Sequence, residues 1–183
     1  KATEHVDHAG KIESVRAIFE SVAKTILLIE KTFGHGGTET YREAFCPMAS
    51  GGNGAAWLQK ADGVENPFYG SSMFNCGEIR REFPGPDGKA TNSKAKSAPK
   101  DSPLDRPKKV DAHFRENLGP IYEVYMDLHA ALAADKLPAA QQALADLKSA
   151  AQLITDKAES PDSWKATRST LVEQAGHGAH AQD

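Results

Sequence analysis

IESVRAIFESVAKTILLIEKTFG, running from Ile12 to Gly34, decides the fold class expected of this chain. Ile12, Val15, Phe19, Val22, Ile26, Ile29 and Phe33 follow steps of three and four, which lays one apolar stripe along a helix packed against others. Gly34 supplies the C-terminal stop. The same rhythm returns in Leu118, Ile121, Tyr125, Leu128 and Leu132 around Pro120, until Asp135-Lys136-Leu137-Pro138 breaks it. A third helix takes Pro138 into its first turn and carries Leu137, Ala140, Leu144, Leu147, Ala151 and Ile154. Ser160-Pro161 reads as a cap and first-turn proline of a shorter helix with Trp164, Leu171 and Val172 on one side. Short connections among the last three helices imply antiparallel neighbours, so the expected fold is all-α, an antiparallel four-helix-type bundle.

Two segments of different character lie between the helical blocks. Residues 35–83 are rich in glycine and aromatics, with Phe45, Trp57, Phe68, Tyr69 and Phe74 beside the bends at Pro47 and Pro67. They are expected to form an irregular segment of short strands or turns packed on the bundle, with a helical turn near Ala55-Ala56-Trp57-Leu58-Gln59. Residues 84–109 hold Pro84, Pro86, Pro99, Pro103 and Pro107 among lysine, serine and asparagine, too little apolar surface to fold alone. The chain thus divides into a long helix plus irregular segment (1–83), a linker (84–109) and a three-helix segment (110–183).

At 183 residues the chain can build one well-cored domain or two small ones. Its net charge of -3 is mixed in sign and gives no broad basic face, which argues against nucleic acid or an acidic membrane surface as partner. No apolar run approaches the roughly 20 residues of a membrane-spanning helix. The longest, Ile26-Leu27-Leu28-Ile29, sits inside an amphipathic pattern. Lys1-Ala2-Thr3-Glu4 lacks the apolar core of a signal peptide, as in a mature exported product or a domain of a longer chain.

The only two cysteines, Cys46 and Cys76, each have a methionine close by: Cys46-Pro47-Met48 and Met73-Phe74-Asn75-Cys76-Gly77. Thiolate and thioether are soft donors that favour Cu(I) and related ions, so the two corners would make a soft-metal site if they meet in space. A disulfide stapling the irregular segment fits the same residues, as do two unconnected buried thiols.

The run Phe45-Cys46-Pro47-Met48-Ala49, then Gly54-Ala55-Ala56-Trp57-Leu58-Gln59, then Asn66-Pro67-Phe68-Tyr69-Gly70-Ser71-Ser72-Met73, then Cys76-Gly77-Glu78-Ile79, resembles a family. It is the domain of unknown function found in small exported bacterial proteins and at the C-terminal end of periplasmic adaptor (membrane-fusion) subunits of copper/silver heavy-metal efflux systems. The likeness covers residues 11–80, and Phe114 to Ala158, with Tyr122-x-x-Tyr125 and Leu132-Ala-Ala-Asp135, is similar to the domain's N-terminal half. The resemblance implies an all-helical module with the cysteine-methionine segment appended, in a heavy-metal setting without established catalysis. Here the half that normally comes last stands first, and His5-x-x-His8-Ala9 is echoed by His177-x-x-His180-Ala181. The two halves are therefore expected to complete one bundle, within the chain as a circular permutant or between chains as a domain-swapped homodimer.

Of the seven histidines, His35 lies eleven positions before Cys46 and is the one to recruit as a third ligand, although a loop histidine satisfied by backbone fits equally well. The pairs His5/His8 and His177/His180 have helical spacing, but a solvated terminus accounts for them better. His129 reads as a bundle-flank residue, and His113 has no distinguishing context. No Glu-x-x-His, His-Glu-x-x-His or Cys-x-x-Cys-His occurs, and Gly51-Gly52-Asn53-Gly54 lacks the Lys-Ser/Thr of a phosphate loop. An enzyme is not expected. The expectation is instead a periplasmic or otherwise exported module that binds Cu(I) or Ag(I) through Cys46, Met48, Met73 and Cys76, with His35, and serves efflux-pump or adaptor subunits. The alternative is an interaction domain with a Cys46–Cys76 disulfide and no metal.

Overall fold

The computed structural model describes residues 2–86, 110–154 and 161–179, with side chains from residue 12 to residue 177. Its elements run α1 (Ala2–Phe33), β1 (Tyr41–Cys46), β2 (Ala55–Gln59), β3 (Glu78–Phe83), α2 (Ala112–Asn117), α3 (Gly119–Ala133), α4 (Leu137–Leu153) and α5 (Asp162–Ala179). All seven residues of the α1 stripe are buried, and the Gly34 amide closes the helix on the Glu30 carbonyl at 2.9 Å. In α3 and α4 the periodic residues are buried as well, apart from Ile154, which is partly covered. Trp164 and Leu171 anchor α5.

The fold is mixed α/β, which corrects the all-α expectation: a three-stranded antiparallel sheet in the order β2-β1-β3 accompanies the helices. Two physical causes hid the strands. Inward-facing positions of β1 include Arg42, which is only 3 % exposed and is matched there by Glu82 at 3.2 Å, by Asp62 and by the Lys60 carbonyl at 2.6 Å. A buried cation breaks the apolar-polar alternation by which a strand is recognised. Ala55–Gln59, expected as a helical turn, is strand β2, with Ala44 opposite Trp57. Five residues cannot sustain a helix without neighbours, so alanine's helix propensity yields to pairing and to burial of Trp57 and Leu58. β2 is an edge strand that packs on α1, and the Tyr125 hydroxyl of α3 accepts its Leu58 amide at 3.1 Å.

One continuous core joins the sheet to α1, α3, α4 and α5. Phe19 of α1 stacks on Tyr125 of α3 at 5.7 Å and meets Phe68 edge-on at 5.4 Å, and Phe68 in turn meets Trp57 of β2. Farther along α1, Phe33 meets Phe114 and Trp164 edge-on. The segments on either side of residues 84–109 therefore pack on each other within the chain. Most of that linker, residues 87–109, lies outside the described residues.

Candidate functional site

Cys46 is the last residue of β1 and is fully buried; Cys76 stands two residues before β3 and is partly exposed. Antiparallel pairing sets Phe45 opposite Glu78, so the residues beyond that pair are neighbours at one end of the sheet. The sulfurs of the two free cysteines stand 3.1 Å apart. Gly77 makes this approach possible: its φ is +135°, and a Cβ there would come within 2.7 Å of the Phe45 carbonyl oxygen. The hydrogen bond with Cys46 raises the Cys76 thiol above its ordinary range, and burial and the charge of Cys46 act in the same direction.

The loop that delivers Cys76 is built around Asn66, which is fully buried. Its side-chain oxygen accepts the amides of Phe68 at 2.8 Å and Tyr69 at 3.2 Å, and its side-chain NH2 donates to the Cys76 carbonyl at 2.7 Å. Its own amide donates to the Phe74 carbonyl at 2.7 Å, and its carbonyl accepts from Gly70 at 3.0 Å. The Cys76 amide closes a turn on the Met73 carbonyl at 3.0 Å. Tyr69 ties the loop to the other corner by donating its hydroxyl to the Met48 carbonyl at 2.7 Å. Met48 is 52 % exposed, Phe74 is exposed and Met73 is half-buried, while of the two thiols Cys46 is buried and Cys76 partly exposed.

His35 does not join them. It packs edge-on to Tyr41, at the far end of a strand about 16 Å long. Its Nδ1 faces both carboxylate oxygens of Glu30 at 3.0 Å, and its Nε2 donates to the Glu39 carbonyl at 2.9 Å. The Tyr122 hydroxyl completes this buried group by donating to Glu30 at 2.8 Å. Both imidazole nitrogens are committed, so His35 leaves the ligand set. His129 is also buried and donates Nε2 to the Glu65 carbonyl at 2.8 Å; burial pulls it down to about 4, against a smaller opposing effect of that bond. His113 and His177 are exposed, and the side chains of His5, His8 and His180 lie outside the described residues. Among the described residues no group of three or more His, Cys, Asp or Glu side chains converges.

Three residues that sequence reasoning missed as part of the site are Asn66, Arg16 and Asp135. Asn66-Pro67 carried a turn signal, but nothing in the sequence marks its side chain as the centre of the loop. Arg16 and Asp135 hold the same loop from outside. Arg16 donates to the Pro67 carbonyl at 2.9 Å, to the Leu132 carbonyl at 3.3 Å and to Asp135 at 2.5 Å, and Asp135 accepts from Ser71. A cleft of about 210 Å³ between α1 and the 49–51 turn, lined by Glu13, Glu20 and Tyr69, adjoins this network. No family model, curated protein or solved structure matches this chain.

Proposed function

We propose that the chain binds a soft monovalent ion of the Cu(I) or Ag(I) type through Cys46 and Cys76, with Met48 and Met73 as thioether donors. The observation that carries it is the contact between the two sulfurs at the surface end of the sheet, each with a methionine two or three positions away. Two thiols and two thioethers form a donor set suited to soft ions and poorly suited to hard ones. With metal–sulfur bonds of about 2.3 Å, two sulfurs on one ion stand about 4 Å apart, so the pair opens by about 1 Å on loading. The likeness of the cysteine-methionine motifs to the efflux-associated domain supports a heavy-metal setting in the periplasm or another exported compartment, with efflux-pump or adaptor subunits as partners. The role proposed is binding of the ion.

Titration of the reduced protein with Cu(I) against a competing chelator tests this. Tight uptake should vanish when both cysteines are changed to serine and weaken by a smaller factor when Met48 and Met73 are changed to leucine. Loading should also raise thermal stability, by about 2.7 kcal/mol at a free ion concentration of 100 Kd. A second reading, a metal-free interaction domain with a Cys46–Cys76 disulfide, is favoured by the same close approach, since sulfurs 3.1 Å apart are about 1 Å beyond a covalent bond. Unchanged Cu(I) affinity in the double-serine variant would leave that alternative alone.

A further inference from the structure

The two sulfurs are unequal, and their inequality assigns them an order of reaction. Cys46 is fully buried at the end of the central strand, whereas Cys76 lies in a segment where Phe74, Asn75 and Gly77 are all exposed. Of the two sulfurs, Cys76 is therefore the one a reagent from solvent meets first, and the buried Cys46 the one it does not reach. The buried sulfur is nonetheless 3.1 Å from its partner, about 1 Å beyond a covalent bond. The Asn66, Tyr69 and Asp135 contacts hold the loop there, so closure requires no rearrangement of the sheet.

We propose that Cys46 and Cys76 are a thiol–disulfide exchange pair in which Cys76 meets the external disulfide and Cys46 resolves the adduct. The co-reactant is a small disulfide, R–S–S–R. Cys76 gives up its proton and its sulfur attacks one sulfur of the reagent. The R–S–S–R bond breaks, a Cys76–S–S–R bond forms, and RS⁻ leaves and takes up a proton. Cys46 then loses its proton and attacks the Cys76 sulfur. The mixed bond breaks, the Cys46–Cys76 bond forms, and the second RS⁻ departs. Two thiols are oxidised and one disulfide is reduced to two RSH, a balanced two-electron exchange that runs backwards with excess RSH. This chemistry needs no metal, so its failure and the failure of ion binding are separate results. If the chain does bind a soft ion, closing the pair removes both thiolates and releases it.

The test treats the reduced full chain with oxidised glutathione in the absence of metal, quenches in acid, and reads intact mass and peptide maps. Wild type should close its pair without retaining glutathione. Cys46→Ser and Cys46→Ala should each accumulate one glutathione, on Cys76. Cys76→Ser should be modified at Cys46 at least about tenfold more slowly. Pulse alkylation of wild type with iodoacetamide supplies a readout that needs no variant to fold: Cys76 should be labelled first and Cys46 only under denaturant. Equal rates at the two cysteines, or a wild type that keeps two glutathiones and never closes, would overturn the proposal.

Discussion

One carboxylate oxygen of Asp135 accepts both the backbone amide of Ser71 at 2.9 Å and its hydroxyl at 2.5 Å, across 64 positions of sequence. The other oxygen receives Arg16 of α1 at 2.5 Å. Three remote segments, α1, the α3–α4 turn and the loop leading to Cys76, thus share one carboxylate. Desolvation pushes that carboxyl up, but the Ser71 and Arg16 contacts outweigh it and hold it below the ordinary carboxylate range. Asp135 occupies a backbone position normally given to glycine: its φ is +56°, and the Lys136 amide reaches back to the Ala131 carbonyl at 2.8 Å while its own reaches Leu132 at 3.2 Å, a Schellman ending to α3.

Replacing Asp135 therefore has two effects of opposite sign that a pair of variants separates. Asp135→Ala strips a partner from a guanidinium that is only 8 % exposed and keeps the left-handed strain, for an expected loss of about 1 to 3 kcal/mol. Asp135→Gly loses the same contacts but relieves the strain, so it should be about 1 kcal/mol more stable than the alanine variant. Urea unfolding of both measures the difference. Equal midpoints for the two would show that the turn is not strained.

Asn66→Asp is nearly isosteric and isolates one bond. The variant keeps an oxygen for the Phe68 and Tyr69 amides but sets a second oxygen against the Cys76 carbonyl where an NH2 donated. A buried repulsion in place of a hydrogen bond should cost about 2 kcal/mol and speed amide exchange in 70–76. Exchange unchanged at Gly70 and Cys76 would mean that Asn66 does not organise the loop.

Legibility followed periodicity. The α1 stripe was readable because one face of a long helix is buried and the signal repeats seven times. The sheet was obscured because its central strand buries Arg42 with its carboxylate partners and its edge strand is rich in alanine. The cysteine corners could be paired on paper because two soft motifs flank one segment, whereas Asp135 acts on that segment from a distant turn that the sequence marks only as a helix break. His35 was drawn to Cys46 by a separation of eleven positions, but strand β1 lies between them, and at its other end the imidazole faces Glu30, which also accepts the Tyr122 hydroxyl.

Gly77→Ala probes the approach of the two sulfurs. A methyl group at that site would stand 2.7 Å from the Phe45 carbonyl oxygen, a backbone atom that cannot rotate away, at a φ that L residues rarely adopt. The chain must shift where Cys76 meets Cys46, so stability should fall by about 2 kcal/mol or more, and closure of the thiol pair by oxidised glutathione should slow. Closure at the wild-type rate in a folded variant would show that the sulfurs need no such close backbone contact.

His129 supplies a pH signature independent of the thiols. Folded, its imidazole titrates at about 4 because burial disfavours the cation; unfolded, it titrates near the ordinary value of about 6.5. Between those values the unfolded chain binds a proton that the folded chain refuses, so stability falls as pH drops from about 6.5 to about 4, by up to about 3 kcal/mol. Above that window His129 is neutral in both states and contributes no slope; below it the imidazole is protonated in both. His129→Gln can still donate to the Glu65 carbonyl but takes up no proton. Urea midpoints measured from pH 4.5 to pH 7 should therefore decline less steeply on acidification in the variant than in wild type. Parallel curves would mean that the imidazole accepts a proton in place, which its single bond to a carbonyl and its surroundings in α3 do not accommodate.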